Sequence, residues 1–427
     1  MKKFCIHTMG CKSNQFETSI IIENLTNNGF EQVKTIENAD YFILNSCTVT
    51  HKSDNEAFYL LRNAKNKNPK IVNILTGCIA QVEKSELLKL DYIDYVVGND
   101  EKLKFFEFLS SGEKFIANDI MHQTDFNKVV LTDMTKTRAS LKIQDGCDNR
   151  CSYCIIPFAR GKSRSADSKF IIEQLNNFAD IGFKEVVFTG IHIGQWGKDF
   201  GLELLNLLQE VEEKSKIHRY RLGSLNPLEI NDEVLKFLSQ SSKFAPHFHL
   251  SLQSACDKTL RSMNRFYTAD FYLEQIEKIN SIFKLPFLGS DIIAGFAGET
   301  DEDFEITCQN LKKSGLSQIH TFPYSIRKGT IGATMEGQVP DKIKEQRANI
   351  IKEISKQKYE EFLAKNVGTV HEILVEKHPQ KSTGLLKGVT ENYLTVVLNS
   401  TDQSLTNTLQ SVEITSAKDD KILGKLL

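Results

Sequence analysis

Residues 140–154 read SLKIQDGCDNRCSYC. The alternating run SLKIQ predicts a β-strand, and Cys147, Cys151 and Cys154 follow it at once in the spacing CxxxCxxC. Three thiolates from one loop can hold three irons of a four-iron cubane. The fourth iron then lacks a protein ligand, because a full site takes four cysteines. An open iron can bind a small molecule through an amine and a carboxylate. The rival is zinc, which takes four ligands, usually as paired CxxC or as CxxC with histidines. No histidine or further cysteine stands close by in the sequence.

Downstream, the strand signal recurs at EVVFTG (185–190), RYRLGS (219–224), HFHLSLQ (247–253), FLGSDIIAG (287–295) and QIHTFPYS (318–325). Helix-like segments separate these runs. Six strand–helix units predict an open, partial (β/α)6 barrel over residues 139–340. Upstream, FCIHTMGC, DYFILNSC, KIVNILTGC and YIDYVVGN alternate with polar helical stretches. That rhythm predicts a parallel α/β domain over residues 1–112. Residues 113–138 are polar and aperiodic and read as a linker. Residues 341–365 read as one charged helix after Pro340. Residues 366–427 carry short strands with Gly turns and predict a small all-β barrel.

Composition places the chain in an ordinary globular class. Of 427 residues, 40% are hydrophobic and 25% charged, and the net charge is −2. With a pI of about 6.6 the chain is not basic, so nucleic-acid contact requires a local patch. No apolar stretch approaches the roughly 18 residues of a membrane helix. The opening MKKFCIHTMGCK is broken by polar residues and reads as no secretion signal. A cytoplasmic location is therefore expected. Nine cysteines, an odd number, in a reducing compartment argue against a disulfide framework.

Cys11, Cys47 and Cys78 each end an apolar run, in IHTMGC, FILNSC and NILTGC. In a parallel α/β sheet the carboxyl ends of the strands share one edge, where ligands bind. The three thiols should therefore converge, forming a second cluster with an open iron. Free cysteines packed at strand ends are the plainer alternative. Cys5, Cys256 and Cys308 lack this context and read as structural.

The whole chain resembles the radical S-adenosylmethionine (SAM) methylthiotransferase family. The resemblance rests on HTMGCKSNQFET, LNSCTVT, TGCIAQ, VVGN, SLKIQDGCDNRCSYCIIPFARGKSRS, TGIH, SDIIAGFAGET and FPYSIRKGT. It implies that residues 1–112 are the amino-terminal cluster domain and residues 139–340 the radical SAM core. Residues 366–427, with GVTENY, resemble a TRAM module, an RNA-binding barrel. The stretches HTMGCKSNQ, CIIPFARG and TGIH look most like the branch acting on tRNA threonylcarbamoyladenosine. The branches acting on isopentenyladenosine or on a ribosomal-protein aspartate remain alternatives, and a non-catalytic iron–sulfur RNA-binding protein is a remoter one. SACD (254–257) and Ala297 depart from the family pattern at two loops.

The resemblance implies two 4Fe-4S clusters, with SAM as radical source and methyl donor and the second cluster delivering sulfur. It also implies a tRNA substrate and an electron-donor protein of flavodoxin or ferredoxin type. Tyr153 would lie near the adenine of SAM or simply pack. Gly190 would admit the SAM amine or serve a turn. Ser251, Gln253, Tyr324 and Ser325 end strands at the barrel mouth, where barrel chemistry collects. Arg160 and Arg164 would meet the SAM carboxylate or an RNA phosphate, or lie in a solvated basic loop. Lys377, Lys381 and Lys387 with Tyr393, and the basic residues of the 341–365 helix (Lys342, Lys344, Arg347, Lys352, Lys356 and Lys358), are candidate RNA contacts.

Overall fold

The structure is a computed structural model that describes residues 1–129, 136–418 and 421–427. Part of the expected 113–138 linker lies outside these residues.

Near-continuous apolar runs become central strands of a sheet covered on both faces, as parallel sheets require. The amino-terminal sheet is entirely parallel, with Lys3–Thr8, Tyr41–Ser46 and Val72–Gly77 side by side at its centre. Glu31–Gln32 and Tyr95–Val97 flank them. The edge strand is Phe115–Ile116, which pairs with Val96 and Val97. The expected linker therefore begins by completing this sheet, because Phe115 packs against the amino-terminal core. Its short sequence carried no periodic signal.

The second parallel series runs Ala139–Lys142, Glu185–Thr189, Arg219–Arg221, Ser224–Leu225, His247–Leu250, Phe287–Ala294 and Gln318–Pro323. Arg219–Arg221 and Ser224–Leu225 are one strand interrupted at Leu222–Gly223, with a Tyr220–Phe244 bridge carrying the pairing past the break. Six strand positions with outer helices form the open barrel that the sequence predicts. Side-chain caps start the helices: Asp167, Asn231, Thr268 and Thr300 each accept a backbone N–H of the first turn, each worth about 1 kcal/mol.

One long helix, Asp341–Asn366, crosses the last barrel strand and leads to a closed five-stranded barrel. That barrel seals the end of the partial barrel opposite the cysteine loop. Glu185 is buried and pairs with Arg219 and Arg221, at 2.6 Å to each Nε. The two guanidiniums then donate to the carbonyls of Glu372, Val389, Thr390 and Glu391. Tyr393 sits over Arg221 and against the His247 ring, whose centroid is 4.2 Å away. This corrects the expectation that Tyr393 offers a stacking surface to RNA. Its ring faces the larger barrel because the turn is folded inward by these hydrogen bonds.

The long helix is corrected in the same way. Lys344 lies over the Tyr324 ring, Arg347 pairs with Glu299 and Asp301, and Lys358 donates to the Ser314 carbonyl. Lys342, Lys352 and Lys356 remain exposed. Glu185→Gln should leave two buried guanidiniums without a counter-charge. Loss of one partner of a buried pair costs about 3–5 kcal/mol, measurable as a lower denaturant midpoint for the full chain. Among the described residues no helix is long and apolar enough to cross a membrane.

Candidate active site at the domain interface

Cys11 follows the strand Lys3–Thr8, Cys47 follows Tyr41–Ser46, and Cys78 opens the helix after Val72–Gly77. Because those strands are neighbours, the register brings all three cysteines to one sheet edge. Cys11 is exposed, whereas Cys47 and Cys78 are buried. Burial, with the nearby Cys78 and Cys11 sulfurs, pushes the Cys47 thiol up to about 11. Thiols so placed are a poor resting state, and a metal that takes thiolates relieves the penalty.

The chain makes room for this gathering. Gly10 has φ +83°, and a Cβ there would lie 2.7 Å from Cys47 Cβ and 2.9 Å from its sulfur. Gly10→Ala should therefore cost about 1–3 kcal/mol in backbone strain alone. It should also lower the iron bound after reconstitution while leaving the Cys147–Cys154 loop loaded.

Cys147, Cys151 and Cys154 lie on a loop that begins at Gly146, where φ is +72° and a Cβ would meet the Lys162 carbonyl oxygen at 1.8 Å. The three are partly exposed. Burial and the Cys151 sulfur push the Cys154 thiol up to about 12. Among the described residues no three His, Cys, Asp or Glu side chains close tightly enough around one point for a single ion. A cubane takes three thiolates on three of its iron corners, whereas a structural zinc takes four ligands, so a trio fits a cluster by count of donors.

Several residues that the sequence did not single out hold the loop. The Gln144 amide donates to the Asp145 and Gly146 carbonyls, while its oxygen accepts from the backbone of Ile191 and His192. His192, the histidine of TGIH, has Nδ1 3.4 Å from the Cys147 sulfur and Nε2 on Glu229. Burial opposes its charge, but the bonds to Cys147 and Glu229 prevail and hold it at about 9. Arg265 donates to the Cys151 sulfur at 3.4 Å and to the Ser251 carbonyl at 3.1 Å. It links the loop to the barrel mouth. RSMNRFYT contains neither cysteine nor repeat, so no local signal marked Arg265.

The other candidates fall into four groups. Tyr153 packs edge-on to Phe296, which packs on Tyr324. Ser251 hydrogen-bonds Ser224 at 2.8 Å, and Gln253, with φ +72°, pairs with the strand carrying Asp291. A Cβ at Gly190 would lie 2.8 Å from the Gln144 carbonyl, so close packing beneath the loop accounts for this glycine. Ser325 accepts the His51 N–H from the amino-terminal domain. Beside it Arg327 pairs with Asp54 at 2.7 Å and donates to Thr48 at 2.6 Å.

Arg160 and Arg164 correct the expectation most clearly. Arg160 is fully buried, with both terminal nitrogens on Glu17 and one also on Asn14 of the amino-terminal domain. Arg164 is buried on Asp145 at 3.0 Å. Neither is a solvated basic loop, and neither presents a free guanidinium to RNA phosphate or to SAM. Carboxylates of the domain contact have claimed them. Between the trios, the Asn99 side-chain amide donates to the Cys78 sulfur at 3.8 Å and to the Ala159 carbonyl at 2.7 Å. Both cysteine sets thus belong to one interdomain face.

Comparison with known proteins agrees with this architecture. Residues 3–98 match the family described as "Uncharacterized protein family UPF0004", and residues 141–311 match the Radical SAM superfamily. The chain is 36% identical over 403 residues to a threonylcarbamoyladenosine tRNA methylthiotransferase MtaB of Aquifex aeolicus, covering 92% of this chain and 96% of that protein. It is 34% identical to the protein of the same name in Bacillus subtilis, covering 95% and 92%. It is also 30% identical to a tRNA-2-methylthio-N(6)-dimethylallyladenosine synthase of Clostridium perfringens, covering 100% and 98%. A radical S-adenosylmethionine methyltransferase structure, TsrM of Kitasatospora setae, shares the fold with TM-score 0.57 at 12% identity, over 78% of this chain and 77% of that one. Both family models match, and the chain is 34–36% identical to named methylthiotransferases over 92–95% of its length, which leads to one conclusion: this chain belongs to the radical SAM methylthiotransferase family.

Proposed function

We propose that this enzyme methylthiolates C2 of N6-threonylcarbamoyladenosine beside the anticodon of tRNA. The cofactors of the family are SAM and two 4Fe-4S clusters. In this reading Cys147, Cys151 and Cys154 hold one cluster, and Cys11, Cys47 and Cys78 hold the other. When bound, these groups supply the one-electron chemistry, sulfur and methyl group that a C–H to C–S exchange needs. The observation that carries the reading is the Asn99 bridge, which places Cys78 and the helix after Cys154 against each other. Sulfur delivery needs such closeness, since the carbon radical must meet its partner before solvent does.

The chain's own residues position and enclose. Arg265 fixes the Cys151 loop against Ser251. In this reading Tyr153, Gly190, Ser251, Gln253, Tyr324 and Ser325, which lie on the cysteine loop or at the ends of barrel strands, would form the SAM side of the site. Arg160 ties the barrel to Glu17 and Asn14 of the amino-terminal domain, and Arg164 braces the loop beneath it through Asp145 and the Arg160 carbonyl. The nucleoside reading rests on the relatives at 34–36% identity, which carry the threonylcarbamoyladenosine name. The dimethylallyladenosine synthase matches at 30%. The small terminal barrel would bind RNA through the exposed Lys381 and not through Tyr393, since Lys377 lies over the Phe183 ring and Lys387 pairs with Glu376, and a small flavodoxin- or ferredoxin-like protein would supply electrons.

The test is nucleoside mass spectrometry of tRNA from a strain lacking the gene. The 2-methylthio derivative of threonylcarbamoyladenosine should disappear and return with the wild-type chain. If it persists while the 2-methylthio derivative of isopentenyladenosine disappears, the substrate assignment is wrong.

A further inference from the structure

A second feature of the interdomain face is an excess of buried positive charge. Lys102, Lys142, Arg160 and Arg164 are all buried, and among the described residues they share two carboxylates, Glu17 and Asp145. Four cations against two anions leave a surplus of two positive charges. An uncompensated buried charge is costly, so some further anion belongs here.

Lys102 shows where. Its Nζ lies 2.5 Å from Glu17, 2.8 Å from the Asn99 side-chain oxygen and 3.2 Å from that of Asn45. Asn99 in turn donates to the Cys78 sulfur. Lys102 and Glu17 both lie in the amino-terminal domain, so their pair ties no domains together. Glu17 already has Lys142 and Arg160 from the barrel side. Interdomain adhesion therefore does not explain Lys102. A four-iron cluster held by three thiolates is a net anion, and cations and N–H donors near its sulfurs raise its reduction potential.

We propose that Lys102 is the buried counter-charge of the cluster on Cys11, Cys47 and Cys78, acting through Asn99 on the Cys78 sulfur. It is a positioning residue, and it makes this cluster easier to reduce. The inference rests on the cysteine assignment given above. Among the described residues the buried Lys102 Nζ bonds Glu17, Asn45 and Asn99, the last of which is this sulfur's hydrogen-bond donor.

The experiment uses the full chain with Cys147, Cys151 and Cys154 all changed to Ala, reconstituted anaerobically with iron and sulfide. EPR-monitored dithionite titration then reads the remaining cluster alone, and adding Cys47→Ala should abolish the signal. In this background Lys102→Met should make the reduction equilibrium at least tenfold less favourable, about 59 mV more negative for one electron. Lys102→Arg should stay within about threefold of the parent, because the charge is kept. Apo Lys102→Met should unfold cooperatively near the parent's midpoint, since Glu17 keeps two cations. A Lys102→Met protein that retains its cluster at the parent's potential overturns the proposal. So does loss of cooperative unfolding in both apo Lys102→Met and apo Lys102→Gln, which would mark the lysine as purely structural. If the parent with three alanines binds no iron at all, the cysteine assignment itself fails, and the inference falls with it.

Discussion

Cys151→Ala is expected to halve the iron of the reconstituted chain, from about eight atoms to about four by four-iron stoichiometry, and to abolish SAM cleavage. Cys47→Ala should lose the same amount of iron yet still cleave SAM. The physical basis is that each trio sits on its own scaffold. Cys151 is fixed by the Arg265 bond and the Gln144 clamp on the barrel side. Cys47 is fixed by the sheet edge and the approach of Gly10. Removing one of three thiolates leaves a two-point attachment, too weak to retain a cubane in water, while the other scaffold is untouched. Iron and sulfide analysis paired with 5′-deoxyadenosine release by chromatography separates the two variants. Equal loss of cleavage in both would mean that the trios do not divide their labour.

Glu17→Gln is expected to be the most destabilising substitution at the domain contact. Glu17 is 1% exposed and is shared by Lys102, Lys142 and Arg160. Neutralising it leaves four buried cations with Asp145 alone. Breaking a buried pair in this way costs about 3–5 kcal/mol, and the loss should appear as earlier unfolding of the apo chain in urea. The same network sets the acid response. Burial works against the Glu17 charge, but Arg160, Lys102 and Lys142 prevail and hold its carboxyl well below the usual range. Asp145, likewise buried, is held at about 2 by Lys142, Arg164 and Arg160. A carboxylate depressed in the folded state adds stability above its unfolded value, near 4. That stability is lost as pH falls through the folded value. Stability of the wild-type apo chain should therefore fall between about pH 4 and pH 2. Glu17→Gln should show a shallower slope there, because one proton fewer is taken up on unfolding.

The sequence made the site's donors legible but not its supports. CxxxCxxC is a local pattern, and strand-end cysteines can be placed by topology alone, so the sequence by itself nominates six thiols as cluster ligands. Lys102, Arg265 and Glu17 act through contacts with residues distant in sequence, and no local spacing records such a contact. Arg160 and Arg164 show the opposite failure. In sequence ARGKSRS looks like a solvated basic loop, because a string of charges says nothing of the carboxylates another domain will bring.

By itself, then, the chain's order of residues determined two parallel α/β units, a terminal barrel and two sets of thiols, because hydrophobic period and cysteine spacing are short-range properties. Only the tertiary structure decided which charges are buried, which way Tyr393 faces, and that Asn99 bridges Cys78 to the helix after Cys154. Those outcomes depend on how the domains pack, and packing is a relation between surfaces that no single stretch of chain contains.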